Sequence, residues 1–555
     1  MRHYLKRAVL AAVAGMAGVA PGADEIKLYA WTRGDARPTT ATMTYDSGED
    51  IDITVDGSVT IIQIIADDPT SQSIGHVLIR SDRSASNALR LLIADEDMTD
   101  FNSQPITPMS EGCLHWAGVH ALDVGSSSGT EGQNTATGNS LLVAAAIHGN
   151  FAQGSSSEGR IEAGHIYRLE SEGTVSGGGN LTIPVWAYGE GFIQDGNPFH
   201  TIGVVHVSNS ITNTIRADNT STVFTYQFHD IGRIRVGPST SAAGISGRIL
   251  CLKGSISQIT STGPINITTT GTDAGILAGS RIELIYAGEE GVSVPTVARD
   301  ISARVVCKKL DSQGQPTVGT LRKLRTAGDL YLPVDVVDIA PPSDFVACNE
   351  DYGIWVKGEV KKPINVAHHV RVAVIRGGTF ADDADVTIGW YLKGTVEATD
   401  SDGVLRHVSV GRGAGTPGVT RGINGWEGAC GIDQYVDPDS IIRAKTIEWA
   451  DVPRMYLHYD KNRAPRIEAD TINLLTINEM ITGEVRGHAT GADAYAVIGV
   501  AEIGNIFGGV PSISGAGPAL VRCETFTTFD VSAGMAATCI SRPFPPPEPF
   551  ASAAA

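Results

Sequence analysis

The sequence has few cysteines, and no two of them are closely spaced. Its seven cysteines include no CxxC pair, which excludes the usual zinc sites built from neighbouring cysteines. Cys251 and Cys307 stand in apolar runs, so we expect small core residues of strands. Cys523 and Cys539 flank a short C-terminal segment and are the candidate disulfide.

Positive charge is also scarce. Lys and Arg number 42 against 61 Asp and Glu, and the formal net charge is −19. A chain with this balance repels the phosphates of nucleic acids and anionic membranes. The composition therefore predicts no nucleic-acid partner, and it favours solubility and cationic partners.

No apolar run is long enough to cross a bilayer with ease. The run at 8–20 has 13 residues, follows Arg2, Lys6 and Arg7, and closes with small residues. This pattern is typical of a secretory signal peptide, which we place at 1–23. The sequence predicts a protein without a membrane span that is secreted or held at the cell surface, with the periplasm as an alternative.

Helical periodicity is missing from the most regular stretch, 231–306. Apolar and polar residues alternate there for three or four positions, a Gly or short polar turn follows, and the pattern starts again. Pairs roughly 15 to 21 residues apart form one apparent series: Ile234/Val236, Ile249/Leu252, Ile265/Ile267, Ile282/Leu284 and Ala303/Val305. Strands this short cannot bury a face alone, so each coil must stack on the one before.

The resulting fold prediction is all-β: a parallel β-helix, or β-solenoid. We expect an N-terminal β cap at 24–50, the β-helix at 51–505, and a C-terminal segment at 506–555 that ends in a disordered, Pro-rich tail. The residues predicted to be buried in the stack are Ile249, Ile265, Ile267, Ile282, Leu284 and Ile301.

Several coils are similar to those of a known superfamily. The runs are GRIEAGHIYRL, GRILCLKGSISQI and AGSRIELIYAG. They resemble the coils of right-handed parallel β-helix proteins, the pectin-lyase-like superfamily, and most of all its uncharacterised secreted bacterial members. The resemblance implies a right-handed helix. It leaves the activity open, because members include polysaccharide lyases, glycoside hydrolases, adhesins and autotransporter passengers.

The catalytic motifs of the family's hydrolases are matched only in part. Asp382, Asp383 and Asp385 resemble the paired Asp and third Asp, and His488 stands in an imperfect G-H-G. The R-I-K motif is replaced by Arg466-Ile467-Glu468, which has an acid in place of Lys and precedes the His. Inverting hydrolysis needs two carboxyl groups held on opposite faces of the sugar, and acids in one turn need not meet that. We therefore expect no catalysis, and Asp382, Asp383, Asp385 and His488 remain the candidates if there is any.

Two tryptophans, Trp390 and Trp426, are candidates for a carbohydrate-binding platform, with core or turn packing as the alternative. His368 and His369 are adjacent, so on a strand they point to opposite faces and do not bind one metal ion together. We predict no metal site. The acidic clusters 67–68 and 95–97 offer oxygen ligands for calcium, but solvated turns are the favoured interpretation.

These features favour a secreted structural, surface or adhesive β-solenoid without catalysis. The alternative is an extracellular polysaccharide lyase or glycoside hydrolase of the β-helix class. In either case the expected partners are extracellular polysaccharides or cell-surface components.

Overall fold

A computed structural model describes most of the chain between 24 and 541. The described residues are 24–32, 39–46, 51–55, 59–66, 73–81, 90–93, 116–124, 141–152, 159–171, 179–188, 192–194, 197–218, 229–237, 244–269, 273–288, 299–310, 312, 314, 316–342, 351–411, 431–434, 440–457, 465–480, 483–488, 495–506, 519–535 and 538–541. Within these ranges all regular secondary structure is β-strand, and none of it is a helix that could span a membrane. The chain divides into two compact units, unit 1 (Met1–Leu332) and unit 2 (Pro333–Ala555).

The strands of unit 1 are short and closely spaced. They are β1 (Asp24–Thr32), β2 (Thr39–Tyr45), β3 (Ile51–Val55), β4 (Val59–Ala66), β5 (Ser73–Ser81), β6 (Arg90–Ile93), β7 (Trp116–Val124), β8 (Leu141–Phe151), β9 (Ile161–Ala163), β10 (His165–Ser171), β11 (Asn180–Leu181), β12 (Val185–Ala187), β13 (Phe192–Gln194), β14 (Asn197–Phe199), β15 (Ile202–Val207), β16 (Ser210–Ile211), β17 (Ile215–Ala217), β18 (His229–Val236), β19 (Gly244–Ile245), β20 (Ile249–Cys251), β21 (Ser255–Ser261), β22 (Ile265–Asn266), β23 (Ile276–Ala278), β24 (Arg281–Ala287), β25 (Ile301–Ser302), β26 (Val305–Cys307), β27 (Lys309–Leu310), β28 (Pro316–Val318), β29 (Thr320–Leu321) and β30 (Lys323–Thr326).

The strands of unit 2 are also short at first, and they become longer toward its end. They are β31 (Val334–Val336), β32 (Asp338–Ile339), β33 (Gly353–Val356), β34 (Glu359–Val360), β35 (Ile364–Val366), β36 (His369–Gly377), β37 (Thr379–Phe380), β38 (Val386–Ile388), β39 (Tyr391–Ala398), β40 (Val404–Val410), β41 (Gly431–Gln434), β42 (Ile441–Arg443), β43 (Thr446–Leu457), β44 (Arg466–Glu468), β45 (Thr471–Met480), β46 (Gly483–Arg486), β47 (Ala496–Ile506), β48 (Ala519–Met535) and β49 (Thr538–Ser541).

The first strands pair differently from the rest. β1 is antiparallel to both β2 and β4, whereas β3 already pairs in parallel with β5. Residues 1–23 and 542–555 lie outside the described residues, so the signal peptide and the disordered tail stay predictions. The boundaries at 50 and 505 stay predictions as well.

Unit 1 forms the predicted parallel β-helix, with three strands to each coil. Ladder A contains β8, β10, β15, β18, β21, β24 and β29–β30; ladder B contains β11, β16, β19, β22 and β25; ladder C contains β9, β12, β17, β20, β23 and β26. Each ladder aligns an apolar residue from every coil, such as Ile231, Ile256 and Ile282 in ladder A. These aligned residues are buried and form the core.

The coils are longer than the sequence pattern predicted. Equivalent positions on neighbouring coils, such as Arg233 and Gln258, lie 25 residues apart. The predicted series of 15 to 21 residues is wrong, because it combined the three ladders: Ile234 lies in ladder A, Ile265 in ladder B and Ile249 in ladder C. Every strand of a coil repeats the same alternation, so alternation alone cannot tell neighbouring strands from neighbouring coils.

The strands of ladder A bend, and the bend interrupts their alternation. In β24 the inward residues Ile282 and Ile285 enclose two consecutive outward residues, Glu283 and Leu284. The predicted burial of Leu284 is therefore wrong, and Ile285 takes the inward position. The other five residues predicted to be buried are confirmed: Ile249, Ile265, Ile267, Ile282 and Ile301. We call the paired outward positions of ladder A the unit 1 bend.

The unit 1 bend brings backbones close together at two glycines. A Cβ atom on Gly232 would lie 2.4 Å from the carbonyl oxygen of Gly203, and one on Gly203 would lie 2.4 Å from the carbonyl oxygen of Tyr167. Such distances are shorter than a Cβ contact allows, so a larger residue at either position requires the neighbouring coil to move.

Unit 2 has three parallel ladders of its own. Ladder D contains β33, β36, β39, β42, β44, β46 and β48; ladder E contains β35, β38, β40, β43, β45 and β47; ladder F contains the beginnings of β36 and β39 and then β41. Strands of ladder E repeat the interrupted alternation: in β40 the buried Leu405 and Val408 enclose Arg406 and His407. We call the paired outward positions of ladder E the unit 2 bend. The term includes the turns that occupy the same place on the preceding coils.

Of the two predictions about cysteines, the core packing is confirmed and the disulfide is not. Cys251 and Cys307 are buried core residues, as predicted. Cys523 is a buried thiol whose register partner is Ser541, while Cys539 lies opposite Val521. The predicted disulfide between Cys523 and Cys539 is therefore wrong, because the register offsets the two residues by two positions.

Candidate functional site

The turn that carries the candidate aspartates lies on the unit 2 bend. It joins β37 to β38, and the amide of Ala384 closes it by donating to the carbonyl of Ala381 over 2.9 Å. The amide of Ala381 donates to Val360 on the preceding coil, also over 2.9 Å. Asp382 and Asp383 project into solvent, with 87% and 74% of their side chains exposed. The backbone holds this turn in place, but the two carboxylates are open to water.

Each aspartate of this turn contacts a cationic or titratable side chain from a neighbouring coil. Lys362 donates to Asp383 over 2.8 Å, and Arg406 lies 2.9 Å from Asp382. The ring Nδ1 of His407 is 3.5 Å from Asp385. These three contacts hold successive coils together at the bend, as opposite charges on neighbouring strands do elsewhere.

Arg406 also binds Glu448 on the following coil, so one guanidinium joins two carboxylates. The hydrogen bond and the charge of Lys362 lower the pKa of Asp383 below its ordinary value. A general acid needs a raised pKa so that it still carries a proton at neutral pH. The pKa of Asp383 is shifted in the opposite direction.

His488 lies elsewhere in unit 2. It follows β46 in ladder D, and its backbone amide donates to a carboxylate oxygen of Asp470 over 3.2 Å. Along ladder E, the strands β40, β43 and β45 stand between β38, which follows the aspartate turn, and β47, which follows His488. The structure therefore brings Asp382, Asp383 and Asp385 together but does not bring His488 to them.

The candidate tryptophan Trp390 is stacked against histidine. Its ring lies 3.9 Å from the ring of His368 at an angle of 23°, and His369 meets it edge-on at 4.8 Å. One ring face is therefore already covered, which reduces the surface open to a sugar. Trp426, the other candidate, lies outside the described residues.

Two further tryptophans of unit 2 stack in the same way. His407 lies over Trp449 at 4.1 Å and 14°, and the Arg376 guanidinium lies 4.1 Å above the ring of Trp355. In each pair the two residues are register partners on neighbouring coils. The rings serve contacts between coils, although Trp449 keeps 39% of its surface exposed.

Glu468, the acid of the altered R-I-K motif, is the centre of an arginine cluster. It lies 2.7 Å from Arg443, 2.5 Å from Arg486 and 3.5 Å from Arg466. Burial alone would raise its pKa, but hydrogen bonds and charges from Arg443 and Arg486 outweigh burial and lower it. The segment that partly resembles the R-I-K motif therefore belongs to an ion-pair cluster in ladder D.

This cluster continues along ladder D as one column of alternating charge. The column consists of Arg376, Glu397, Arg443, Glu468 and Arg486, which are register partners from coil to coil. Sequence reasoning missed it, because its members stand 18 to 46 positions apart and only the register aligns them. We call it the Arg–Glu column.

No metal centre is present in the part of the chain that the structure describes: no group of three His, Cys, Asp or Glu side chains is placed to hold an ion. The acidic clusters 67–68 and 95–97, which are the calcium alternative, lie outside those residues. Comparisons with protein-family models, with curated proteins and with solved structures find no match to this chain.

Proposed function

We propose that this chain is a secreted or cell-surface β-solenoid with a structural or adhesive role and without catalysis. One observation carries the proposal. At the unit 2 bend, the three candidate carboxylates contact Lys362, Arg406 and His407 of neighbouring coils. Side chains used in this way join coils and are not arranged around a substrate.

The chemistry of glycoside hydrolysis supports the same proposal. It requires one protonated and one ionised carboxyl group on either side of the scissile bond. Asp383 has a lowered pKa and does not suit the role of the protonated acid. His488 is separated from the turn by the strands β40, β43 and β45.

The rest of the proposal extends the sequence predictions. The coil runs support membership of the right-handed pectin-lyase-like superfamily, and the segment 1–23 supports export from a bacterial cell. Extracellular polysaccharides or cell-surface components are the proposed partners.

The experiment is a panel of acidic and neutral polysaccharides, assayed for new reducing ends and for unsaturated products. Parent protein, Asp383→Asn and Asp402→Asn are compared; Asp402 is an exposed turn residue of unit 2 and serves as the matched control. We expect no product from any of them. Cleavage by the parent that Asp383→Asn abolishes and Asp402→Asn retains would replace this proposal with the lyase or hydrolase alternative.

A further inference from the structure

The outward side of ladder A in unit 1 is strongly basic, although the chain as a whole is acidic. Seven cationic side chains project from its strands and from the residue that joins β29 to β30, beside two outward carboxylates, which gives a formal charge of +5 against −19 for the chain. The buried Asp230 of β18 reduces the sum for ladder A to +4. The cations are Arg168, Arg233, Arg235, Arg281, Arg322, Lys323 and Arg325, and the carboxylates are Glu170 and Glu283. We call this set the basic face.

The two carboxylates of the basic face are already in contact with arginine. Glu170 lies 2.7 Å from Arg168, and Glu283 is held between Arg281 and Arg322. Arg233 is exposed, and its guanidinium donates to the neutral Gln258 over 2.9 Å. These contacts neutralise part of the charge, but seven cations outnumber two acids, and Arg233 presents its charge directly to solvent.

The cations lie in rows that follow the stack of coils. Arg168, Val204, Arg233 and Gln258 are successive register partners. A second row begins with Glu170 and His206 and continues through Arg235, Thr260, Tyr286 and Arg325. Neighbouring strands are about 4.8 Å apart, so Arg168 and Arg233 stand about 10 Å apart along the row. A linear ligand lying along the stack would meet charges at intervals of two or three coils.

Tyrosine accompanies the cations. Tyr167 is 39% exposed at the unit 1 bend, and Tyr286 stands in the second row. Guanidinium groups bind carboxylate and sulfate through paired hydrogen bonds, and tyrosine rings offer an apolar surface with a polar edge. This combination suits a chain of sugars that carries an acidic group on every second or third unit.

We infer that the basic face binds an acidic polysaccharide laid along the stack of coils. The inference rests on the proposed adhesive function and names its ligand class. Nucleic acid fits less well, because its charges are much denser than the cations of this face and the remaining acidic surface repels them.

The test is binding of hyaluronan, heparosan, neutral dextran and duplex DNA to the full chain, measured by calorimetry at several salt concentrations. Both acidic glycans carry one carboxylate on every second sugar, and we expect one or both to bind and dextran not to bind. In Arg233→Glu/Arg235→Glu the affinity should fall about tenfold or more, with a weaker dependence on salt, because each lost cation releases fewer counterions. Arg233→Gln/Arg235→Gln should show a smaller loss and covers the case in which the reversed variant does not fold.

The matched control is Arg216→Glu/Arg248→Glu, which makes the same charge change elsewhere in unit 1. Arg216 lies on ladder C strand β17 and Arg248 directly precedes ladder C strand β20. We expect less than a twofold loss for this control. An equal loss for both pairs, tighter binding of DNA than of either acidic glycan, or no glycan binding at low salt would overturn the inference. Fragments released from the glycan would instead contradict the proposed absence of catalysis, so the two failures are distinguishable.

Discussion

Unit 1 and unit 2 bend their long strands with the same spacing but place different chemistry on the outside. In ladder A the charged outward positions are cations more often than acids, and Arg168 and Arg233 are examples. In ladder E, acids and cations of successive coils face each other, as Asp382 and Glu448 face Arg406. The unit 1 bend therefore presents net positive charge to solvent, whereas the charges of the unit 2 bend form ion pairs between coils.

A repeated backbone does not fix the chemistry of its surface. The bend provides two outward positions on every coil, whichever residues occupy them. Opposite charges at these positions contribute to cohesion of the stack. Like charges weaken the cohesion of the stack slightly, and they leave a surface to which an oppositely charged ligand can bind.

The largest expected effect tests the bend itself. Ile285→Asp places a carboxylate in the core of ladder A and should lower the free energy of unfolding by about 4 kcal/mol. Leu284→Asp changes the neighbouring outward residue and should cost less than about 1 kcal/mol. Urea unfolding of both variants measures the difference, and equal costs would contradict the interrupted alternation.

The second prediction concerns the Arg–Glu column. Glu468→Gln removes the buried carboxylate shared by Arg443, Arg466 and Arg486, and it should destabilise the protein by about 2 kcal/mol. The three arginines lose their closest shared carboxylate, although Glu397 and Glu484 remain within 4.0 Å of Arg443 and Arg486. Glu448→Gln at the half-exposed unit 2 bend is the control and should cost about 0.5 kcal/mol. A small loss at Glu468 would mean that the column is solvated.

The same column predicts a dependence of stability on pH. The pKa of Glu468 is lowered in the folded chain, so the native state holds this proton less readily than the unfolded state does. Its contribution is complete above the ordinary value of 4.5 and is lost as the pH falls through the lower, folded value. Between pH 7 and pH 3 the excess stability of the parent over Glu468→Gln should shrink, and a constant difference would contradict the pKa shift.

The smallest expected effect compares the two bends directly. Arg406→Glu would place a third acid beside Asp382 and Glu448, and should destabilise unit 2 by about 1 kcal/mol. Arg233→Glu removes a cation whose hydrogen-bond partner is neutral, and should change stability by less than about 0.5 kcal/mol. Thermal melting of both variants decides whether the bends differ in cohesion.

The sequence predicts the stacked strands well, because apolar alternation with short turns has few other solutions. It fails at the length of the coil, since Ile234, Ile249 and Ile265 look equivalent although they belong to three ladders. It fails at Leu284 because a bend with two outward residues breaks the alternation that the prediction assumes.

The composition of the candidate site could be predicted only in part. Asp382, Asp383 and Asp385 are adjacent in the sequence, so their grouping follows from the turn. Their partners Arg406 and Lys362 are set by the register of neighbouring coils, which depends on the lengths of the intervening loops. The basic face could not be predicted for the same reason, because its cations are brought together by the register. The net charge of −19 gives no hint of it, since it is a sum over all surfaces.

The most direct test of this account is which side chains the register brings to Asp383. A short bismaleimide is applied to two double variants, Lys362→Cys/Asp383→Cys and Asp383→Cys/His488→Cys, and the linked peptides are identified by mass spectrometry against the parent. We predict a link in the first variant, whose parent side chains are 2.8 Å apart, and none in the second. A link between positions 383 and 488, with none between 362 and 383, would contradict the register and restore an active site at the turn.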